Sequence, residues 1–198
     1  MTLNFLWPIV LRVVRCGAMG IEATRPGRAV FAWALIAAVT VGLIVHGGAG
    51  DGEATEPAAG AWTGGAAVGF LGNTPDGTAF AMNLNVERFF NRSFSVGPLL
   101  QFGVTGDMTQ IAASGQVKYW LDLSKGLKLT AQGGLGFVHT DFRGSDTSFL
   151  IPIGVGFDYA LTRNVSATAT FLLNLTDIDT GVGSHPHVMP GLTFGVRF

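Results

Sequence analysis

The chain has 198 residues, enough for one domain of ordinary size plus a leading segment but too few for several large domains. Apolar residues make up 48% and charged residues 13%, about half the usual charged share, which excludes a disordered or highly charged chain. With 12 basic and 13 acidic residues and no basic cluster, the sequence excludes a nucleic-acid partner, and a single cysteine, Cys16, excludes an internal disulfide or a thiolate zinc cage.

Residues Ala29 to Val45 form an unbroken apolar or weakly polar run, preceded by Arg12, Arg15, Arg25 and Arg28 against one acid, Glu22. A basic stretch before a greasy one is the pattern of an export signal. Small residues at Gly47 and Ala49 place cleavage after Ala49, so residues 1–49 are expected to be a signal peptide; Met19 is a second candidate start. The alternative is an uncleaved membrane anchor, since seventeen residues is long for a signal core and short for a spanning helix. Cys16 precedes the apolar run and is badly placed for lipidation. Residues 50–198 keep 8 basic residues, 12 less these four arginines, and 12 acidic ones, 13 less Glu22. Residues 50–60 contain no large apolar side chain and are expected to be a flexible lead-in to a domain over 61–198.

From Trp62 onward large apolar residues alternate with small or polar ones, the period of a strand. The first strand sets Trp62, Val68 and Phe70 against Thr63, Gly65 and Gly69. The clearest, Thr78 to Arg88, sets Phe80, Met82, Leu84 and Val86 against Ala81, Asn83, Asn85 and Glu87. Then Phe94, Val96, Pro98, Leu100, Phe102 and Val104 oppose Ser93, Ser95, Gly97, Gln101 and Gly103; Ile111, Val117, Tyr119 and Leu121 oppose Gln110, Ser114, Gln116, Lys118 and Asp122. Further on, Leu127, Leu129, Leu135 and Phe137 oppose Lys128, Thr130 and Gln132, and Phe149, Ile151, Ile153, Val155, Phe157 and Tyr159 oppose Gly154, Gly156 and Asp158. Val165, Phe171, Leu173 and Leu175 face away from Ser166, Thr168, Thr170 and Asn174; Leu192, Phe194, Val196 and Phe198 face away from Gly191, Thr193, Gly195 and Arg197. The count is eight.

The outer face of a soluble barrel would be rich in Lys, Glu and Asp. Here the less apolar face carries Gly, Ala, Ser, Thr, Asn and Gln with six charges that sum to zero: Glu87, Lys118, Asp122, Lys128, Asp158 and Arg197. Such a set suits the tight interior of an eight-stranded barrel, with the bulky face turned to lipid. The sequence therefore predicts an all-β fold: an eight-stranded antiparallel up-and-down transmembrane β-barrel. Its outward aromatics sort into two girdles, Phe70, Phe80, Phe102, Phe137 and Phe149 at one end and Trp62, Phe90, Phe94, Tyr119, Tyr159 and Phe198 at the other. Connections alternate too. Tight turns at 90–92, 124–126 and 162–164 each carry a basic residue, whereas 72–77, 105–108, 141–147 and 176–187 are acidic or Gly-rich.

On these features residues 61–198 resemble the small outer-membrane β-barrel proteins, the group that includes the OmpA membrane domain, OmpX and the opacity proteins. The terminal Leu192-Thr193-Phe194-Gly195-Val196-Arg197-Phe198 is similar to the final strand that the outer-membrane assembly machinery reads in that family. The resemblance implies an exported integral protein of a Gram-negative cell envelope, located in the outer membrane, with outer-membrane lipid and that machinery as its partners. Its expected role is structural or surface-interactive, with no catalysis, no cofactor and no large porin-like pore; loop 176–187 could contact a surface partner. Pro98 and Pro152 depart from the pattern, since a closed barrel has no edge to accommodate a missing donor, and imply bulges or different strand boundaries.

Three features invite sharper chemistry. The six lumen charges are expected to form a satisfied salt-bridge network rather than an ion path. His185 and His187, near Asp177 and Asp179, carry donors a divalent metal uses, but without a fixed scaffold the expectation is a solvated loop and no metal. His139 with Ser145 or Ser148 would need an oxyanion hole that no spacing demands, so no catalytic residue is assigned. Gly133, Gly134 and Gly136 precede no helix and are expected to permit close strand packing. Two alternatives remain: a soluble or membrane-anchored lipocalin-like ligand-binding barrel with its bulky face inward, and a lipid-modifying outer-membrane enzyme or narrow channel.

Overall fold

A computed structural model describes residues 58–198 apart from 182 and 184; the expected signal segment and residues 50–57 lie outside the described residues. Eight strands follow in order: β1 Trp62–Thr74, β2 Gly77–Asn91, β3 Phe94–Val104, β4 Thr109–Ser124, β5 Leu127–Asp141, β6 Ser145–Ala160, β7 Ser166–Leu175 and β8 Val188–Arg197. Each pairs antiparallel with its neighbour in the chain, and β8 pairs with β1, so the sheet closes on itself. Closure extends one residue past β8, where Gly64 and Phe198 exchange backbone hydrogen bonds of 2.8 and 2.9 Å.

The period of two sorts the side chains as the sequence predicts. Along β2, Ala79, Ala81, Asn83, Glu87 and Phe89 are buried while Leu84, Val86, Arg88 and Phe90 are exposed. Among the described residues, twenty-eight large apolar side chains are exposed, from Trp62 to Phe198. Full burial of such a side chain gains about 1.5–3 kcal/mol, and each of these would forgo the share set by its exposure if left in water. The bulky face is thus outside, which removes the lipocalin-like alternative with that face inward.

Strands are longer than expected. The expected strand Thr78 to Arg88 spans Gly77–Asn91, and the connections foreseen at 72–77 and 141–147 contract to 75–76 and 142–144. Strands β2, β4, β5 and β6 have 15 or 16 residues, against the roughly 9–11 needed to cross a bilayer. Connections 92–93, 125–126 and 161–165 lie at one end, which also holds both ends of the barrel chain. The other end has 75–76, 105–108, 142–144 and the long 176–187. Lys125-Gly126 closes its turn because Gly126 takes φ 77°, a conformation that side chains resist.

The two prolines produce neither bulges nor strand ends. Pro98 points outward within β3 and Pro152 is buried in the lumen within β6. In each case the ladder on one side skips two pairs and resumes in the same register: Asn85↔Leu99 is followed by Arg88↔Val96, and Gly133↔Ile153 by Gly136↔Leu150. The missing N–H is therefore confined to one seam, and each proline still pairs on its other side, Pro98 with Gly115 and Pro152 with Asn174. The register shifts that do occur lie near turns, between Leu71 and Thr74, Phe89 and Asn91, and Asp122 and Ser124.

Candidate functional site

Among the described residues, charge, aromatic surface and burial meet in the lumen. At the short-turn end β2, β3 and β4 converge on the Glu87 carboxylate, which is 0% exposed. Its Oε1 accepts hydrogen bonds from Lys118 Nζ at 2.5 Å, Asn85 Nδ2 at 2.5 Å and Gln116 Nε2 at 3.4 Å, and its Oε2 accepts from Ser95 Oγ at 2.6 Å. Ser95 Oγ in turn accepts from the Trp120 indole N–H at 2.8 Å. The Trp120 ring packs on Phe89, with centroids 5.3 Å apart, and lies within reach of two cations, Lys118 Nζ at 5.2 Å and Arg197 Cζ at 5.1 Å. Arg197 is held in turn by Asp158 through bonds of 2.7 and 2.8 Å, and by Ser166 at 3.0 Å.

The six expected lumen charges thus resolve into three ion pairs: Glu87 with Lys118, Asp158 with Arg197, and Asp122 with Lys128 at 2.8 Å. The first two are buried. Asp122 is a correction, because its side chain is 63% exposed and sits at the rim, where β4 leaves the wall. Charge-assisted bonds to every buried carboxylate offset the desolvation that would otherwise expel them. Phe89 and Trp120 were absent from the sequence expectation, although both share the parity of assigned lumen residues: Phe89 follows Glu87 by two, and Trp120 lies midway between Lys118 and Asp122.

The opposite end is closed by apolar packing. Met108 from the β3–β4 connection, Phe142 from the β5–β6 connection and Ile178 from 176–187 fold inward onto Leu71, Ala79, Ala112, Val138, Leu150 and Met189. Between the two plugs, Gln101 and Asn174 pair across the lumen from β3 to β7, Asn83 reaches Thr193 past β1, and Thr140 bonds its neighbour Gln110 on the adjacent strand. Cavities of about 40 Å³ beside Gln116, Lys118, Trp120 and Arg197 and of about 10 Å³ beside Gln101 and Asn174 lie among these groups. One water needs roughly 10–15 Å³ of such space, so the interior has room for a few waters. Gln116 Oε1, buried without a protein partner, lies on the larger cavity and offers such a water an acceptor.

On the outer wall Trp62, Phe90, Phe94, Tyr119, Tyr159 and Phe198 are exposed at the short-turn end, and Phe70, Phe137 and Phe149 at the loop end; Phe80 and Phe102 are half-buried beside them. Phe94 packs on Tyr119 at 4.9 Å. Leu192, Phe194, Val196 and Phe198 share the outward face of the terminal strand, with Phe194 58% exposed.

The described loop residues stand in separate pairs. His185 pairs with Asp179 and His187 with Asp177, each at 3.1 Å, as two separate exposed pairs. Among the described residues no three His, Cys, Asp or Glu side chains are grouped to hold a metal. His139 faces outward and its Nδ1 bonds Thr147 Oγ1 at 2.7 Å, whereas Ser148 Oγ accepts the Asp177 N–H at 3.1 Å. Of the three adjacent glycines, a Cβ on Gly134 or Gly136 would overlap a β4 carbonyl oxygen; Gly133 faces open space and needs no close approach.

No protein-family model and no curated protein matches the chain. Among solved structures, neisserial surface protein A superposes with a TM-score of 0.53 at 20% identity, covering 69% of this chain and 94% of that one. The N-terminal β-barrel domain of Pseudomonas aeruginosa OprF gives 0.47 at 15%, covering 69% and 97%. Ail, the attachment invasion locus protein of Yersinia pestis, gives 0.47 at 15%, covering 71% and 99%. At these identities the likeness is one of fold, and the fold is that of the small eight-stranded transmembrane β-barrels.

Proposed function

We propose that the protein is an integral outer-membrane β-barrel of a diderm cell envelope, exported by residues 1–49, with a structural or surface-interaction role. It performs no catalysis and forms no large pore. The observation that carries this reading is the inversion of the wall: exposed Leu, Val, Ile and aromatic side chains outside, and a lumen filled by ion pairs and amide networks. Lipid satisfies such a wall, and barrel closure satisfies its backbone. Plugs at both ends support a silent barrel rather than a conducting one. The terminal strand with Leu192, Phe194, Val196 and Phe198 facing outward supports delivery by the outer-membrane assembly machinery, and 176–187 is the loop most able to reach a partner.

Fractionation of the expressed protein with a urea wash, followed by gel migration with and without boiling, tests the reading. Retention in the outer membrane with heat-dependent migration is expected. Release into the soluble fraction, or large steady currents in planar bilayers, would overturn it.

A further inference from the structure

The two halves of the lumen are filled by different chemistry. At the loop end the inward side chains are apolar and sealed: Val138 and Met189 are 0% exposed, and Met108, Leu150 and Ile178 are 1% exposed. Toward the short turns they are polar, and they keep some accessible surface. Lys118 and Arg197 retain 12% and 13% of theirs, although a carboxylate holds each. The cavity of about 40 Å³ beside these two cations runs from Trp120 and Asp158 up to Asn83 and Thr193, and its wall includes the hydroxyls of Thr168 and Thr170. The smaller cavity shares Asn83, Leu172 and Thr193 with it and reaches Gln101 and Asn174, whose two hydrogen bonds of 3.3 and 3.1 Å cross the lumen.

Acceptors in this half lack protein donors. Gln116 is 2% exposed; its Nε2 donates to Glu87, while its Oε1, on the larger cavity, has no protein partner. Two residues along the same face of β4, the Ser114 Oγ is buried in the same condition. Gly97 of β3 pairs with Gln116, and the Val86 carbonyl oxygen occupies the space that a Cβ on Gly97 would take. Val86 lies opposite Pro98, which has no N–H to give it. Each buried acceptor left unmatched costs about 1–3 kcal/mol, so an apolar occupant would leave the full penalty standing. The occupant that fits is a small hydrogen-bond donor. At roughly 10–15 Å³ for each water, the larger cavity takes about three.

We propose that the short-turn half of the lumen is a blind water pocket, a built site for a short file of waters. It opens toward the short-turn rim and is closed above by the Gln101–Asn174 pair and the apolar loop-end cluster. Water in it donates to Gln116 Oε1 and brings solvent to the buried pairs of Glu87 with Lys118 and Asp158 with Arg197. The barrel is thereby wetted from one end and dry at the other, without being a conduit.

The test reads thiol reactivity toward silver ion, which is close to water in size, with the full chain folded in detergent micelles so that both ends of the barrel meet water. Cys16, the single cysteine, is replaced by Ser, and one new cysteine is introduced at a time. Thr170→Cys lines the larger cavity, and Val138→Cys lies in the apolar cluster; both keep nearly the size of the side chain replaced. Heat-dependent gel migration selects folded protein. After free silver is removed, the chain is unfolded and the thiols left are counted with a maleimide. Thr170→Cys is expected to react at least about tenfold faster than Val138→Cys, because thiol reactivity follows access. Equal reaction at the two sites, whether slow or fast, would overturn the pocket. Thr168 lines the same cavity two residues nearer the short-turn rim on β7. Thr168→Leu and Thr168→Phe, each added to Thr170→Cys, should slow it in order of size. A rate unchanged in whichever of the two folds would overturn entry from that rim.

Discussion

Arg197 meets Asp158 through two hydrogen bonds of 2.7 and 2.8 Å, tying the last residue of β8 to β6 across the intervening β7. The guanidinium also bonds Ser166 of β7 and lies 5.1 Å from the Trp120 ring centre, so one side chain joins the terminal strand to three others inside the barrel. Asp158→Leu would leave the buried cation unpaired and is expected to cost about 3–5 kcal/mol; Asp158→Leu with Arg197→Met should recover most of that loss. Urea unfolding midpoints in vesicles check both, and a double variant as weak as the single one would show that the pair is not the source.

The Glu87 carboxylate organises the neighbouring half of the plug. Ser95→Ala removes one donor from Glu87 and the acceptor of the Trp120 indole together, leaving the indole N–H buried and unmatched. A loss of about 1–3 kcal/mol is expected, with a blue shift of Trp120 emission as its hydrogen bond disappears. Ser95→Thr, which keeps the hydroxyl, should restore the emission. An unchanged spectrum in Ser95→Ala would show that the indole bond does not form.

Two plugs in series predict that opening one alone does not conduct. Trp120→Ala loosens the short-turn end, but Met108, Phe142 and Ile178 still close the other, so planar bilayers should remain silent. Adding Phe142→Ser and Ile178→Ser should still give no steady current, because the Gln101–Asn174 pair bridges the lumen between the two ends. Current from Trp120→Ala alone would mean that the apolar cluster does not seal the loop end.

How these plugs stood in the sequence differs between the two ends. The alternation that placed Glu87, Lys118, Asp158 and Arg197 on one face is a property of the strand itself, so the barrel and its facing could be inferred from spacing, whereas which charge pairs with which could not. Phe89 and Trp120 obey the same parity, yet their bulk resembled the lipid face, and only the width available inside the folded barrel shows that they fit. The loop-end cluster was hidden for another reason: Met108, Phe142 and Ile178 lie in three connections far apart in the chain, and no local period records that they meet. Asp122 erred in the opposite sense, keeping lumen parity at a point where the strand had already reached the rim.

The His–Asp pairs of 176–187 are exposed and separate, so each contributes at most about 0.2–1 kcal/mol. His185→Ala with His187→Ala is expected to leave thermal stability nearly unchanged, and added zinc should not raise the melting temperature of the unmutated protein. A saturable zinc-dependent rise that the double variant abolishes would show that the two pairs can rearrange into one site.

Gly133 and Gly136 separate two readings of the glycine-rich stretch of β5. Both lie in the same short segment, and both looked equally suited to close packing. A Cβ on Gly136 would run into the Ala113 carbonyl oxygen and Ser114 of β4, where backbone must shift to make room, whereas one on Gly133 meets nothing within 4 Å. Gly136→Ala is therefore expected to cost about 1–3 kcal/mol, in the range of overpacking a close-packed site. Gly133→Ala should stay within about 0.5 kcal/mol, because it adds a methyl group on the outer wall. Unfolding of the two variants in the same vesicles decides the matter: equal losses would mean that glycine is required at both positions for backbone freedom, and that the β4 carbonyl is not what Gly136 accommodates.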